Sequence, residues 1–80
     1  MSAQSKDLLE YLAKSLVEYP DEVRVDEKDT DDALVLELHV APSDVGKVIG
    51  RQGRVARALR TIVKASSVRD SKRAIVEIVG

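Results

Sequence analysis

The sequence predicts a two-layer α+β domain of element order αββααβ, in which three helices cover one face of a three-stranded mixed sheet. Three observations lead there. Apolar residues recur at helical spacing in 4–19 and from about Gly53 to Ser67. Period-two patterns occupy 22–28, 33–40 and 73–79. The last two of those strands are separated by two helical segments, a crossover that joins parallel strands.

Each element follows from its residues. In 4–19, Leu8, Leu9, Leu12, Leu16 and Val17 form one apolar face. Asp7 and Glu10 sit near the helix start, where the dipole favours acids. Tyr19-Pro20 ends the helix, because a residue before proline is pushed out of the α region. In 22–28, Val23 and Val25 point to one side and Arg24 and Asp26 to the other. Asp29-Thr30-Asp31-Asp32 is turn chemistry, so this strand and 33–40 pair as an antiparallel hairpin. In 33–40, Leu34, Leu36, Leu38 and Val40 share one face and Val35, Glu37 and His39 the other. Its nearly continuous apolar character suits the central strand. Pro42-Ser43-Asp44 opens a short helix ending at Gly50, with Ser43 or Asp44 as its cap. The next helix has Val55, Leu59, Ile62 and Val63 as apolar positions, flanked by Ala56, Ala58 and Ala65. A loop at Arg69-Asp70-Ser71-Lys72 leads to the last strand, with Ala74, Val76 and Ile78 on one face.

Eighty residues suffice for one domain, read as residues 1–80, and are too few for two. There is no cysteine, which excludes disulfides, thiolate metal sites and a cysteine nucleophile. The N-terminal stretch does not read as a secretory signal, and no apolar run approaches a membrane span of roughly 18 residues. A cytoplasmic protein with no membrane contact is expected. The net charge of −1 conceals an asymmetry. Residues 1–40 carry 4 basic and 11 acidic side chains, a net −7, whereas residues 41–80 carry 9 and 3, a net +6. One face suited to a polyanion and another that repels it would explain this, as would an uneven scatter of charge on solvated surface.

The stretch Asp44 to Arg60, DVGKVIGRQGRVARALR, is the most informative. Gly46, Gly50 and Gly53 cluster at the junction of two short helices, after Val48-Ile49 and before a basic helix. Two glycines three residues apart are weak evidence alone, being common in a helix C-cap followed by a turn. In this context the stretch resembles a KH motif, VIGxxG, with Gly50-Arg51-Gln52-Gly53 as its loop. The element order resembles the type II KH fold, and the whole chain resembles the KhpA family of small bacterial KH proteins. That resemblance implies a bacterial, cytoplasmic, non-enzymatic protein that grips single-stranded RNA. It further implies an RNA chaperone or post-transcriptional regulator tied to cell elongation or division, with a larger KhpB-type KH protein as partner.

The residues make the chemistry understandable on their own. Glycines let a backbone approach a phosphate, and loop amides with the following helix N-terminus present donors and partial positive charge. Arg51 and Arg54 add full charges, and Lys47 is a further candidate. In KH domains such a loop clamps about four nucleotides. Bases would then cross an apolar groove between the helices and the central strand. Ile49, Val48 and residues of 33–40 are candidates for its lining, although core packing is the commoner use of a residue like Val48. Arg57 could also reach RNA, while Arg60 and Lys64 would steer it from a distance. The candidate RNA-binding set is therefore Lys47, Ile49, Gly50, Arg51, Gln52, Gly53, Arg54 and Arg57.

A second expectation is dimerisation through the third helix, as a homodimer or with a homologous KH domain. The resemblance suggests it, and the wide apolar arc of that helix adds support. Ile62 and Ala65 would centre the contact, with Ala58 and Thr61 nearby. A protein-interaction module with incidental RNA binding is the alternative function. Other chemistries find no residues. Neither GxxxxGK[ST] nor GxGxxG is present. The acids at Asp26, Glu27, Asp29, Asp31 and Asp32 lack calcium-loop spacing, and His39 has no evident ligand set, so no metal or cofactor is expected. No catalytic constellation is visible. Tyr11 and Tyr19 are the only aromatics, which argues against aromatic base-stacking.

Overall fold

The alternation in 33–40 becomes the central strand β2, Ala33–His39, in a computed structural model that describes residues 2–66 and 73–80. Before it, β1 (Arg24–Asp29) pairs antiparallel, from Arg24 opposite His39 to Asp29 opposite Leu34. On the other side β3 (Arg73–Val79) pairs parallel, from Ala33 beside Arg73 to His39 beside Val79. The hairpin turn closes on Thr30, whose Oγ1 donates to the Ala33 carbonyl (2.8 Å) and accepts from the Ala33 N–H (3.0 Å). The parallel pairing is the expected crossover. It runs through α2 (Val45–Ile49) and α3 (Arg54–Ser66). With α1 (Ser2–Leu16) these helices lie on one face of the sheet.

The core forms between that face and the helices. Val25, Leu34, Leu36, Leu38 and Val76 of the sheet pack with Leu9 and Ala13 of α1, Val48 of α2, and Leu59 and Val63 of α3. Leu9, Leu36 and Leu38 are fully buried, each worth about 1.5–3 kcal/mol. Exposed ion pairs contribute at most about 1 kcal/mol, so apolar contacts fix where the helices sit.

Several boundaries differ from the sequence expectation. Helix α1 spans 2–16 rather than 4–19, so Asp7 and Glu10 are not in its first turn. It stops short of Pro20 because the Glu18 and Tyr19 backbone N–H groups are captured by a buried side chain described below. A turn of 3-10 helix at Pro20–Glu22 delays β1 to Arg24. Pro42–Asp44 is likewise a 3-10 turn, and neither Ser43 nor Asp44 caps α2 through its side chain. A third such turn, Arg51–Gly53, delays α3 to Arg54. Ser67 and the expected loop at 69–72 lie outside the described residues.

The buried face of α1 is also rotated from the expectation. Leu9 and Ala13 point inward on α1, whereas Leu16 is 42% exposed. On α3 the inward residues are Ala56, Leu59 and Val63, while Ile62 is 40% exposed and Ala58 and Ala65 are exposed.

Candidate nucleic-acid interface

Helix α2 ends when the Gly50 N–H donates to the Gly46 carbonyl at 2.9 Å. The chain then reverses within four residues. Gly50 has φ 76° and ψ 173°, a combination essentially confined to glycine. Gln52 follows at φ 57°, ψ 24°, and Gly53 at φ 74°. The Gly53 N–H closes the turn on the Gly50 carbonyl at 3.1 Å, after which α3 begins. Space as well as torsion excludes a side chain at residue 50: a Cβ there would lie 2.4 Å from Val55 Cγ2 and 3.0 Å from the Val55 nitrogen. At Gly53 a Cβ would meet nothing within 4 Å, so only its torsion favours glycine.

Gln52 is the one described non-glycine residue with positive φ. Sequence reasoning missed this, because the left-handed region attracts Asn, Asp and Gly rather than Gln. Its Oε1 accepts from Arg54 Nη2 at 3.3 Å, so the first residue of α3 folds back over the loop. Arg51, Gln52, Arg54 and Arg57 are exposed. Among the described residues, Arg51, Arg54 and Arg57 pair with no carboxylate. A bent backbone beside three uncompensated guanidinium groups suits an anion whose charges are spaced along a chain.

Other expected site residues fare differently. Ile49 is 38% exposed beside the loop. Val48 is fully buried and serves the core. Leu34, Leu36, Leu38 and Val40, on one face of the central strand, are buried and serve the core. An open apolar groove lies between α1 and α3. It measures about 350 Å³ and is lined chiefly by Leu12, Leu16, Val55, Ala58 and Ile62, with Arg54 at its rim. The four expected interface residues, Ala58, Thr61, Ile62 and Ala65, are all exposed on α3, with Thr61 Oγ1 donating to the Arg57 carbonyl. Arg60 reaches back to β3, its Nε donating to the Val76 carbonyl at 3.4 Å.

Lys47 is not an open cation. Its Nζ lies 3.3 Å from Glu18 Oε2 and 3.5 Å from Asp44 Oδ1. The hydrogen bond to Glu18 raises its pKa above the ordinary lysine value, against the opposing effect of burial. Asp44 is fully buried, and its two oxygens accept the Glu18 N–H (3.1 Å) and Tyr19 N–H (3.0 Å). Burial pushes its pKa up. The two N–H donors and the Lys47 charge outweigh burial and hold the carboxyl below its ordinary value. This clamp ties the end of α1 to the start of α2. No local pattern foretold it, because the partners are 25 and 26 residues apart.

Part of the acidic half of the chain is paired on the sheet. On the open sheet face Lys28 pairs with Glu37 (3.0 Å) and Arg24 with Asp26 (3.2 Å). His39 Nε2 lies 3.1 Å from Asp26 Oδ2. Asp26, Glu37 and His39 thus bring three metal-capable atoms within 4.8 Å, but Arg24 and Lys28 already balance both carboxylates. Among the described residues no helix is long and apolar enough to cross a membrane.

Comparison with known proteins agrees with this geometry. The profile of the family described as KhpA/KhpB, KH domain matches residues 6–78. A relative from Clostridium acetobutylicum, named RNA-binding protein KhpA, is 57% identical over 74 residues, covering 92% of this chain and 99% of its own. Proteins of the same name from Clostridium perfringens and Bacillus subtilis are 50% and 47% identical. Those alignments cover 92% and 91% of this chain and 99% and 90% of the relatives. No solved structure matches the chain. The loop geometry, the αββααβ order and these matches together make the chain a member of the KhpA/KhpB KH-domain family.

Proposed function

We propose that this protein binds single-stranded RNA through the Gly50–Gly53 loop and the start of α3, without catalysing a reaction. One observation carries the reading: a reversed, glycine-permitted backbone lies beside Arg51, Arg54 and Arg57, none of which has a carboxylate partner among the described residues. Loop amides contact the phosphates, and Arg51 and Arg54 supply charge. Ile49 offers apolar surface to a base. The relatives named RNA-binding protein KhpA support RNA as the polyanion. We extend the proposal to a cytoplasmic RNA chaperone or post-transcriptional regulator linked to cell elongation or division, the role that the family resemblance of the sequence implies.

The test is anisotropy of a short labelled single-stranded RNA with the wild type and the double variant Arg51→Asp/Gln52→Asp. Both side chains are exposed, so the fold should survive while binding falls at least tenfold. Wild-type affinity should also weaken with salt at a slope of about two to four released counterions, as befits a grip on few nucleotides. A folded double variant that binds as tightly as wild type contradicts the assignment. Labelled single-stranded DNA of the same sequence tests whether the sugar matters.

A second reading, dimerisation, is favoured by the exposed Ile62 and the adjoining α1–α3 groove. Ala58, Thr61, Ile62 and Ala65 would meet their counterparts across a two-fold axis, or a KhpB-type partner. The groove lining includes Arg54 of the candidate RNA-binding set but none of Gly50–Gly53.

A further inference from the structure

We infer that Glu18 is an internal competitor of RNA: it holds Lys47 against α1, and bound RNA takes Lys47 by displacing it with a phosphate. This rests on the reading that the Gly50–Gly53 loop grips RNA. Lys47 is three residues before Gly50 on α2, about 4.5 Å along the helix axis. A strand leaving the loop along α2 therefore passes it first. Helical side chains lean toward the N-terminus, which turns Lys47 away from the loop and toward Glu18 and Asp44.

The two carboxylates on Lys47 are not equivalent. Asp44 is fully buried, and its oxygens keep two backbone N–H donors whether or not Lys47 is present. Among the described residues Glu18 contributes its side chain to Lys47 alone, and that side chain is 64% exposed. It is the partner that can be exchanged. An exposed carboxylate–ammonium pair is weak and a phosphate is an equivalent acceptor, so exchange costs little. Asp44 Oδ1 meets the same Nζ at a longer 3.5 Å, so a phosphate that displaces Glu18 also loosens that contact while leaving the Asp44 backbone clamp in place. Among the described residues Arg51 and Arg54 have no such competitor, so the loop is engaged first and Lys47 second.

A double-mutant cycle tests this. Anisotropy with a short labelled single-stranded RNA is measured for wild type, Glu18→Gln, Lys47→Met and the double variant, with Arg51→Asp/Gln52→Asp as the loop control. Removing Glu18 should tighten binding about 1.5- to 5-fold, the range spanned by exposed ion pairs. That gain should vanish in the Lys47→Met background. A gain of equal size in both backgrounds would mean that Glu18 acts only through its distant field, and overturns the inference, as does no gain or a loss in Glu18→Gln. A wild type that binds no RNA, or a loop control that binds normally, overturns the functional reading and the inference with it. As a second measurement, the Glu18 carboxylate carbon signal should shift on adding RNA to wild type and stay still in Lys47→Met. A signal that does not move in wild type contradicts the exchange.

Discussion

Replacing Gly50 by alanine should damage the domain far more than replacing Gly53, although both glycines occupy the same loop. Two costs add at residue 50. Its φ of 76° with ψ of 173° is a conformation that costs an L-residue about 1–3 kcal/mol. The new methyl group would also sit 2.4 Å from Val55 Cγ2 and 3.0 Å from its backbone nitrogen. Val55 is β-branched and stiff, and its nitrogen belongs to the first turn of α3, so neither yields easily. Overpacking of this kind adds about 1–3 kcal/mol. The sum, about 2–6 kcal/mol, is a large share of the roughly 4–12 kcal/mol expected for 80 residues. At residue 53 only the torsion costs, about 1–2 kcal/mol, because a Cβ there meets open space. Gln52→Gly should be neutral or slightly stabilising, since it relieves a left-handed residue. Urea unfolding followed by circular dichroism gives all three values. Equal losses at 50 and 53, or a Gly50→Ala variant as stable as wild type, would refute the loop geometry and the reasoning drawn from it.

Asp44→Asn should destabilise the fold more than the exposed Glu18→Gln, because an amide cannot accept both backbone N–H groups as the carboxylate does. Because Asp44 is held below its ordinary value of 3.8, its contribution is present above that pH and fades as pH falls through the lowered folded value. The gap between wild type and Asp44→Asn in urea midpoint should therefore narrow in that acid range; a gap independent of pH would contradict it. Ala65→Arg should give a folded monomer, since an exposed edge of α3 tolerates a long side chain that a two-fold contact does not. Light scattering at high micromolar concentration decides this. If wild type is also monomeric, self-association is wrong, and if both are dimeric, the interface lies elsewhere.

Features with local causes were legible in the sequence. The alternation of Leu34, Leu36, Leu38 and Val40 needs only the strand's period to assign its buried face. The loop announced itself through glycine spacing between helical patterns, and the crossover followed from two helices between strands. Features set by distant partners were hidden. The end of α1 depends on a carboxylate at Asp44, and Lys47 looked available because Glu18 is 29 residues away. Ala56 is buried on α3 beside Leu59 and Val63, although a small residue weighs little in an apolar pattern. Ile62, expected at the centre of a dimer contact, lies partly open. Gln52 adopts its left-handed turn because Gly50 and Gly53 impose the reversal around it, not because of its own preference.

The most direct test of the central claim is an amide-resolved NMR titration of the ¹⁵N-labelled protein with a short single-stranded RNA. The largest shifts should fall on the backbone N–H groups of Gly50, Arg51, Gln52, Gly53 and Arg54, and those of β1 on the acidic sheet face should not move. Shifts concentrated on Val35, Glu37 and His39, with the loop amides unchanged, would contradict the account.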